Sequence, residues 1–480
     1  MHAEVGAIQR EKAFSLGGVP AWLWLGIGVY ALLLADGRTL LTDADTYWQI
    51  AVGQWILDHG ALPRVDIYSF SKLGEAWISS SWLAQVIYAV SYNLAGWTGP
   101  VVVAAGVISA TFALLAHYLE RRIPSTYAVL VALAAMVLSM PHFLARPHVL
   151  AMPLMVAWTH GLMTASERRQ PPSFWLLPLI ALWANLHGGF VFALVLAGGF
   201  AVDALWNTEP PLRKPLALRW IAFGVAALAA CCVTPYGWES ILASRKILDL
   251  GELLRLLTEW APPNFSTLSP FELTILALIA GALHFGVKLS PPRIVLLLGL
   301  LHMALSHGRN VEVLALLLPI VVLTPVSQHF ALQSSPPRRM ASVAAAMLVV
   351  TLGAATWAWA AHWTYSPPKS LSPAAAVEAV KAHGVRRVLN DRAFGGYLIW
   401  RQTPVFIDGR AELYGEQFTM AYYNAVELKD VGQLVGLLKD YDIDALLLQP
   451  GMPAASLLDH LGGWRLVHAD DAAVLYVRGS

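Results

Sequence analysis

Apolar runs of bilayer-spanning length follow one another along most of the first 362 residues, and this repetition excludes a soluble fold built around one core. A hydrocarbon layer about 30 Å thick is crossed by roughly 20 mostly apolar residues in helical form. Runs of that kind fall at 20–37, 98–118, 126–143, 148–166, 173–187, 189–206, 216–234, 270–287, 292–306, 310–326 and 340–362. With 57% hydrophobic and 13% charged residues in a chain of 480, the expected class is a polytopic α-helical membrane protein. The runs predict about eleven spans.

Arg10 and Lys12 precede the first run, which lacks a small-residue cleavage site and so reads as an uncleaved first span. One further run, 81–95, is short and carries Gln85, Ser91 and Asn93. If it lies in the interface instead of crossing, Arg10/Lys12, Arg121/Arg122, Arg168/Arg169, Arg213/Lys214, Lys288/Arg293 and Arg338/Arg339 all fall on one side, as the positive-inside bias requires. An interfacial amphipathic helix is therefore expected at 81–95, in a multi-pass protein of the plasma (inner) membrane.

At Ser366-Pro-Pro-Lys369 the composition turns from hydrocarbon-like to soluble. This divides the chain into a multi-span domain, 1–365, whose outer loop 38–97 carries interfacial helices, and a soluble domain, 366–480. In the latter, β-like runs at Val388-Leu-Asn, Val405-Phe-Ile, Ala445-Leu-Leu-Leu, Trp464-Arg-Leu-Val and Val474-Leu-Tyr-Val alternate with helical stretches near 372–383, 415–426, 431–440 and 453–461. That alternation predicts a small α/β sheet domain, and an odd number of spans puts it on the extracytoplasmic side. The loop 234–270, with Leu248, Leu250, Leu253, Leu254, Leu256 and Leu257, predicts an amphipathic helix along the membrane.

A formal net charge of +1 with no concentrated basic segment excludes a nucleic-acid partner. Cys231 and Cys232, adjacent in an apolar run, offer neither a bridge nor metal-ligand spacing. No Gly-rich phosphate loop, HExxH or Ser/His/Asp elbow occurs, so neither a cofactor nor a metal is expected.

Acidic residues avoid the bilayer unless a function keeps them there, which singles out the segment after the first span, Asp43-Ala-Asp45-Thr-Tyr47-Trp48. In an extended segment its two acids share a face, and in a helix they point about 200° apart. One would act as a general base and the other as its positioner; the competing reading is a cap on the helix from Trp48 to Leu57. Tyr47 and Trp48 share the segment and join the candidate site. Arg146, beside His148, suits a lipid phosphate, although an interfacial Arg also snorkels to headgroups. Asn185 and His187, followed by two glycines, serve either substrate binding or interhelical hydrogen bonding. His307-Gly-Arg309-Asn310 repeats the pattern, with Arg309 as the second phosphate candidate. Glu239 and Glu259 read equally as substrate-orienting groups and as a solvated loop face. Asp391, Asp408-Gly-Arg410 and Glu412 sit at expected strand ends, where α/β domains bind ligands, yet Asp-Gly is also an ordinary turn. Because separate outer loops supply these groups, they point to one outward-facing cavity.

The layout resembles the GT-C superfamily of integral-membrane glycosyltransferases, the group that includes protein O-mannosyltransferases and the lipid A aminoarabinose transferase. It has one span, an outer loop with an acid near its start, an interfacial helix, and a span ending in Arg121-Arg122. The family's first-loop acid maps to Asp43 or Asp45, and its interfacial segment to Trp77 through Trp97, with Trp82-Leu-Ala-Gln as the aromatic-aliphatic run. The sequence departs in having Asp-Ala-Asp where the family has an adjacent acidic pair, and Ser-Ser-Ser before Trp82 where a Pro-Pro stretch is common. The resemblance implies transfer of a sugar from a polyprenyl-phosphate carrier to a lipid, glycan or protein acceptor on the outer face, with inversion. Arg146, His187 and Arg309 would hold the phosphate.

Two other classes compete. A lipid or polymer transporter would place its polar groups at mid-membrane on repeated, broken helices, whereas here they lie at helix ends and no internal repeat is evident. A non-catalytic assembly or sensor protein would present the outer domain.

Overall fold

The computed structural model describes residues 19–479, apart from 249, 252, 257–258 and 335–341. Arg10, Lys12, Leu257, Arg338 and Arg339 lie outside the described residues, as do the side chains of Leu248 and Leu256. The described residues are mostly helical, with one small sheet near the C-terminal end. Among them, six helices are long and apolar enough to cross a membrane: Thr98–Leu119, Ser125–His142, Pro147–Glu167, Gly188–Trp206, Pro210–Cys231 and Asn310–His329. Shorter apolar helices occupy the other expected spans, at Ala21–Ala35, Phe174–Leu186, Pro270–Phe285, Pro291–Ser306 and Ala346–His362. Proline fixes several of the starts. Pro147, Pro210, Pro270 and Pro291 each open a helix, where the missing N–H costs nothing and the fixed φ is already helical.

The Thr98–Leu119 helix runs through the core. Its Ala104, Ala105, Ile108 and Phe112 are fully buried, and it packs against Ala21–Ala35, Ser125–Ser139 and Pro147–Glu167. Small side chains let these helices approach closely. A Cβ at Gly26 would lie 3.0 Å from that of Ala113. At one end of the bundle, Arg293 pairs with Asp203 at 2.9 Å and Glu167 at 3.4 Å, and Arg122 meets Glu167 at 3.1 Å. Glu167 and Arg146 terminate opposite ends of one 21-residue helix, about 30 Å apart at 1.5 Å per residue. The described basic pair 121–122 and Arg293 thus gather away from Arg146.

The run 81–95 forms a helix, Trp82–Ala95, that lies along Asp45–His59. In the C-terminal region β1 (Val388–Asn390), β2 (Ala445–Leu448), β3 (Trp464–Ala469) and β4 (Val474–Arg478) make a mixed sheet in the order β1-β2-β4-β3. β1 and β2 are parallel and the other pairings antiparallel. Two expectations fail here. Residues 405–407 do not become a strand of this sheet. The Asn390 side chain holds them, donating to Ile407 O at 2.8 Å and accepting from Phe406 N at 2.7 Å. Val405 instead pairs with the loop after the Asp45–His59 helix, where Phe70 N donates to Val405 O at 3.0 Å and Val405 N to Tyr68 O at 3.2 Å. A helix not expected from the sequence, Arg392–Trp400, follows β1 and packs against Asp45–His59.

The core around this sheet is shared with the segment after the first apolar helix. Tyr47, Trp48, Val52, Ile56 and Trp77 are buried in one cluster with Phe394, Leu398, Phe406 and Leu446. The loop 234–270 also departs from expectation. It is broken into Glu239–Leu248 and Leu253–Leu256, and Leu250, Leu253 and Leu254 cover Ala411, Met420 and Tyr423. These three leucines find a protein surface to bury against, which satisfies them as well as lipid would.

Candidate active site

Pro147 sets the geometry of the site. The residue before a proline is driven out of the helical region, and Arg146 is extended (φ −128°, ψ 161°) at the point where the Pro147–Glu167 helix begins. Its neighbours are tied to the first connection: Ala145 N donates to Leu40 O at 2.7 Å and Thr46 Oγ1 to Ala145 O at 3.3 Å. Tyr88 Oη donates to Arg146 O at 3.0 Å. The guanidinium is thereby aimed at the start of the Asp45–His59 helix.

Three carboxylates receive it. Arg146 Nη2 donates to Asp45 Oδ2 at 2.8 Å, and Nη1 to Asp43 Oδ2 at 3.1 Å and Glu259 Oε2 at 3.0 Å. Asp43 also accepts the Asp45 N–H on Oδ1 at 2.7 Å, so the helix-start role and the ion-pair role are held by one side chain. Trp48 Nε1 donates to Asp45 Oδ1 at 2.9 Å. The other oxygen of Glu259 lies 3.6 Å from Arg309 Nη1, and the Arg309 guanidinium stands 4.4 Å from the centre of the Trp260 ring. Glu259 thus bridges the two arginines.

The backbone fixes that bridge. Arg309 N donates to Glu259 O at 3.0 Å and Gly308 N to Ala261 O at 2.9 Å. His307 Nδ1 and Trp260 O are 2.7 Å apart. His307 therefore anchors the loop, and Asn310 Nδ2 donates to Met303 O at 3.2 Å within its own helical junction. Both serve the frame that presents Arg309.

Burial and charge compete over the acids. Burial raises the Asp45 carboxyl above its ordinary range; Arg146 opposes this, Asp43 adds to it, and Arg392 opposes it further. Burial would also raise Glu259, but Arg146 and Arg309 together hold it down at about 2. His187 is lowered to about 3 by burial, with Arg309 and Arg146 adding to the effect, so its imidazole is neutral.

His187 and His148 flank the cluster with their rings 6.3 Å apart. His187 Nδ1 accepts the Gly189 N–H at 3.1 Å, and His148 Nε2 lies 2.8 Å from His142 O. Glu312, which nothing in the sequence singled out, is buried 3.9 Å from His148 Nε2, and its Oε2 has no hydrogen-bond partner among the described residues. It lies in the first turn of the Asn310–His329 helix, three residues after Arg309.

Two expected site residues stand elsewhere. Tyr47 points into the shared core, its hydroxyl bonded to Ser372 Oγ and its ring edge-on to Trp97 and Tyr397. Asn185 is consumed by structure: Oδ1 accepts from Trp82 Nε1 at 2.8 Å, and Nδ2 donates to Ala181 O and Val233 O, each at 2.8 Å.

The second candidate cluster, in the C-terminal domain, forms a buried joint. Arg410 donates to Asp408 Oδ2 and to Asp66 Oδ1, each at 2.6 Å. Trp77 Nε1 donates to Glu412 Oε1 at 3.0 Å, and Asp391 caps the Arg392–Trp400 helix. This joint presses the domain onto the acids. A Cβ at Gly409 would lie 1.9 Å from Asp45 Oδ1, and one at Gly396 2.2 Å from Ala44 O. Only glycine admits such an approach.

Arg146, His187 and Arg309 each precede a helix, and the Asp45–His59 helix starts beside them. Converging helix N-termini and guanidinium groups favour a bound anion. The paired carboxylates beside them are suited to accept a proton.

No family model matches the chain, and no curated protein does. Among solved structures, it is similar to ArnT from Cupriavidus metallidurans in the apo state, at 15% identity over 95% of this chain and 97% of that chain, with a TM-score of 0.47. It is also similar to ArnT from Cupriavidus metallidurans bound to undecaprenyl phosphate, at 13% identity over the same shares, with a TM-score of 0.35.

Proposed function

We propose that the chain is an integral-membrane glycosyltransferase of the GT-C type. It takes a sugar from a polyprenyl-phosphate carrier and passes it to a lipid, glycan or protein acceptor at the extracytoplasmic face of the inner membrane. One observation carries the reading: Arg146, Asp43 and Asp45, brought together from segments about a hundred residues apart, meet in direct hydrogen bonds beside a second guanidinium.

The chemistry follows from those groups. Arg146 and Arg309 engage the carrier's phosphate at headgroup depth while its tail stays among the apolar helices. An acceptor hydroxyl or amine attacks the anomeric carbon from the side opposite the phosphate. The new bond forms as the sugar–phosphate C–O bond breaks, and the acceptor's proton passes to Asp43 or Asp45. The phosphate leaves already ionised, so one base suffices and the anomeric configuration inverts.

The test uses the full chain in lipid nanodiscs with a panel of polyprenyl-phosphate-linked sugars, scored for release of polyprenyl phosphate. Asp43→Asn and Asp45→Asn should each leave the helical circular dichroism intact, and at least one should abolish release. Full release by both variants would overturn the assignment of the base.

A further inference from the structure

Of the three carboxylates on Arg146, Glu259 is held differently from the other two. Asp43 Oδ1 also accepts the Asp45 N–H, and Asp45 Oδ1 also accepts Trp48 Nε1. Glu259 has one oxygen 3.0 Å from Arg146 Nη1 and the other 3.6 Å from Arg309 Nη1, and among the described residues its carboxylate bonds to nothing else. It is also the most exposed of the three, at 32% against 22% for Asp43 and 15% for Asp45.

An anion that spans two guanidinium groups, with one oxygen on each, occupies the place a phosphate would take. The two cannot share it, because like charges in contact repel. Glu259 is the group free to leave. Its backbone is pinned to the Arg309 turn, with Arg309 N donating to Glu259 O at 3.0 Å and Gly308 N to Ala261 O at 2.9 Å, so the side chain swings toward water while the loop stays. Arg309 keeps its support on the Trp260 ring, 4.4 Å away, and Arg146 keeps Asp43 and Asp45. Glu312, the next acid along from Arg309, is 5% exposed and has no such route out.

We propose that Glu259 is the resident occupant of the phosphate seat, an autoinhibitory carboxylate that the carrier's phosphate must displace and that returns when the carrier leaves. The inference rests on the polyprenyl-phosphate reading above. In the ligand-free protein the carboxylate keeps the two largely buried arginines paired; in the loaded protein it stands in solvent. Because polyprenyl phosphate is what the proposed transfer leaves behind, the returning carboxylate also speeds its departure.

Binding of undecaprenyl phosphate to the full chain in detergent tests this, read beside the melting temperature of the ligand-free protein. Glu259→Gln should tighten binding about tenfold while lowering that melting temperature, because a group that stabilises the empty seat has been removed. Glu259→Asp keeps the charge on a shorter side chain that cannot reach both arginines, and should tighten binding about threefold. Glu239→Gln, on the same loop but paired with the exposed Arg64 at 3.6 Å, should change binding by less than about twofold. Unchanged or weaker binding in Glu259→Gln would overturn the proposal. So would an equal gain in Glu239→Gln, or a gain in Glu259→Gln with none in Glu259→Asp, since the charge would then act at a distance without occupying the seat. Absence of binding by the unaltered chain, or binding indifferent to Arg309→Ala, would instead remove the carrier reading and the inference with it.

Discussion

Arg410 Nη1 donates to Asp66 Oδ1 at 2.6 Å across 344 positions of sequence, with both side chains fully buried. Asp408 occupies the other side of the guanidinium, and Tyr414 Oη donates to Asp408 Oδ2 at 2.7 Å. The loop that carries the candidate base is thus locked to the C-terminal domain by an ion network with no access to water. Removing one member of such a network leaves a charge without its partner.

Asp66→Ala is expected to destabilise the protein by about 3–5 kcal/mol. It also removes the acceptor of the Ser69 N–H and Oγ bonds at 3.0 and 2.6 Å. Thermal melting in detergent should show the loss, and a melting temperature within a degree or so of the unaltered chain would contradict the network's role.

Gly409→Ala should act on the site itself. The added methyl would stand 1.9 Å from Asp45 Oδ1, forcing the carboxylate or the domain to shift at a cost of about 1–3 kcal/mol. Polyprenyl-phosphate-dependent release should fall with it. Gly436→Ala, inside the Val431–Asp440 helix with open space around the new methyl, should have the opposite sign, stabilising by about 0.4–1 kcal/mol through the unfolded chain.

Asn185→Ala distinguishes frame from site. It would leave the partly buried Trp82 Nε1 without its acceptor and the exposed Val233 O without its donor, a loss of about 0.5–1.5 kcal/mol. Undecaprenyl-phosphate affinity should be unchanged where the protein remains folded. A large affinity loss at unaltered melting temperature would instead make Asn185 a ligand.

Acid should weaken the Glu259 bridge. Arg146 and Arg309 hold the carboxyl down at about 2, against an ordinary value of 4.5. A group depressed on folding contributes stability above its unfolded value and loses it as pH falls toward its folded one. The contribution of Glu259 is therefore complete above about pH 4.5 and disappears between there and about pH 2. Melting curves across that window should fall more steeply for the unaltered chain than for Glu259→Gln, and parallel slopes would refute the ion pairing.

The membrane-facing half was legible because apolar periodicity and length are properties of each segment alone. The positions of the apolar helices needed no knowledge of tertiary contact. Residues 405–407 were not legible in the same way. Their β-rich composition is satisfied by a side chain of β1 and by the outer loop, so local preference yielded to a distant partner. Glu259 looked like one more polar residue on a mixed loop, and only the arrival of Arg146 from elsewhere makes it a bridge. Asn185 and Tyr47 carry groups suited to ligand binding, yet each is occupied by a structural partner that sequence does not reveal, Trp82 or Ser372. The contact of the Arg392–Trp400 helix with the first loop likewise has no local signal, because it depends on Gly396 standing against Ala44 O.

The backbone exchange between Phe70 and Val405 has a consequence for biogenesis. During synthesis, residues near 70 emerge long before their partner, and every intervening helix is inserted in between. The early acids must therefore wait, exposed or sheltered by a helper, until the end of the chain arrives to close around them. An incomplete product would leave Asp43 and Asp45 uncovered, and the proposed transfer would wait until the C-terminal residues have folded over them.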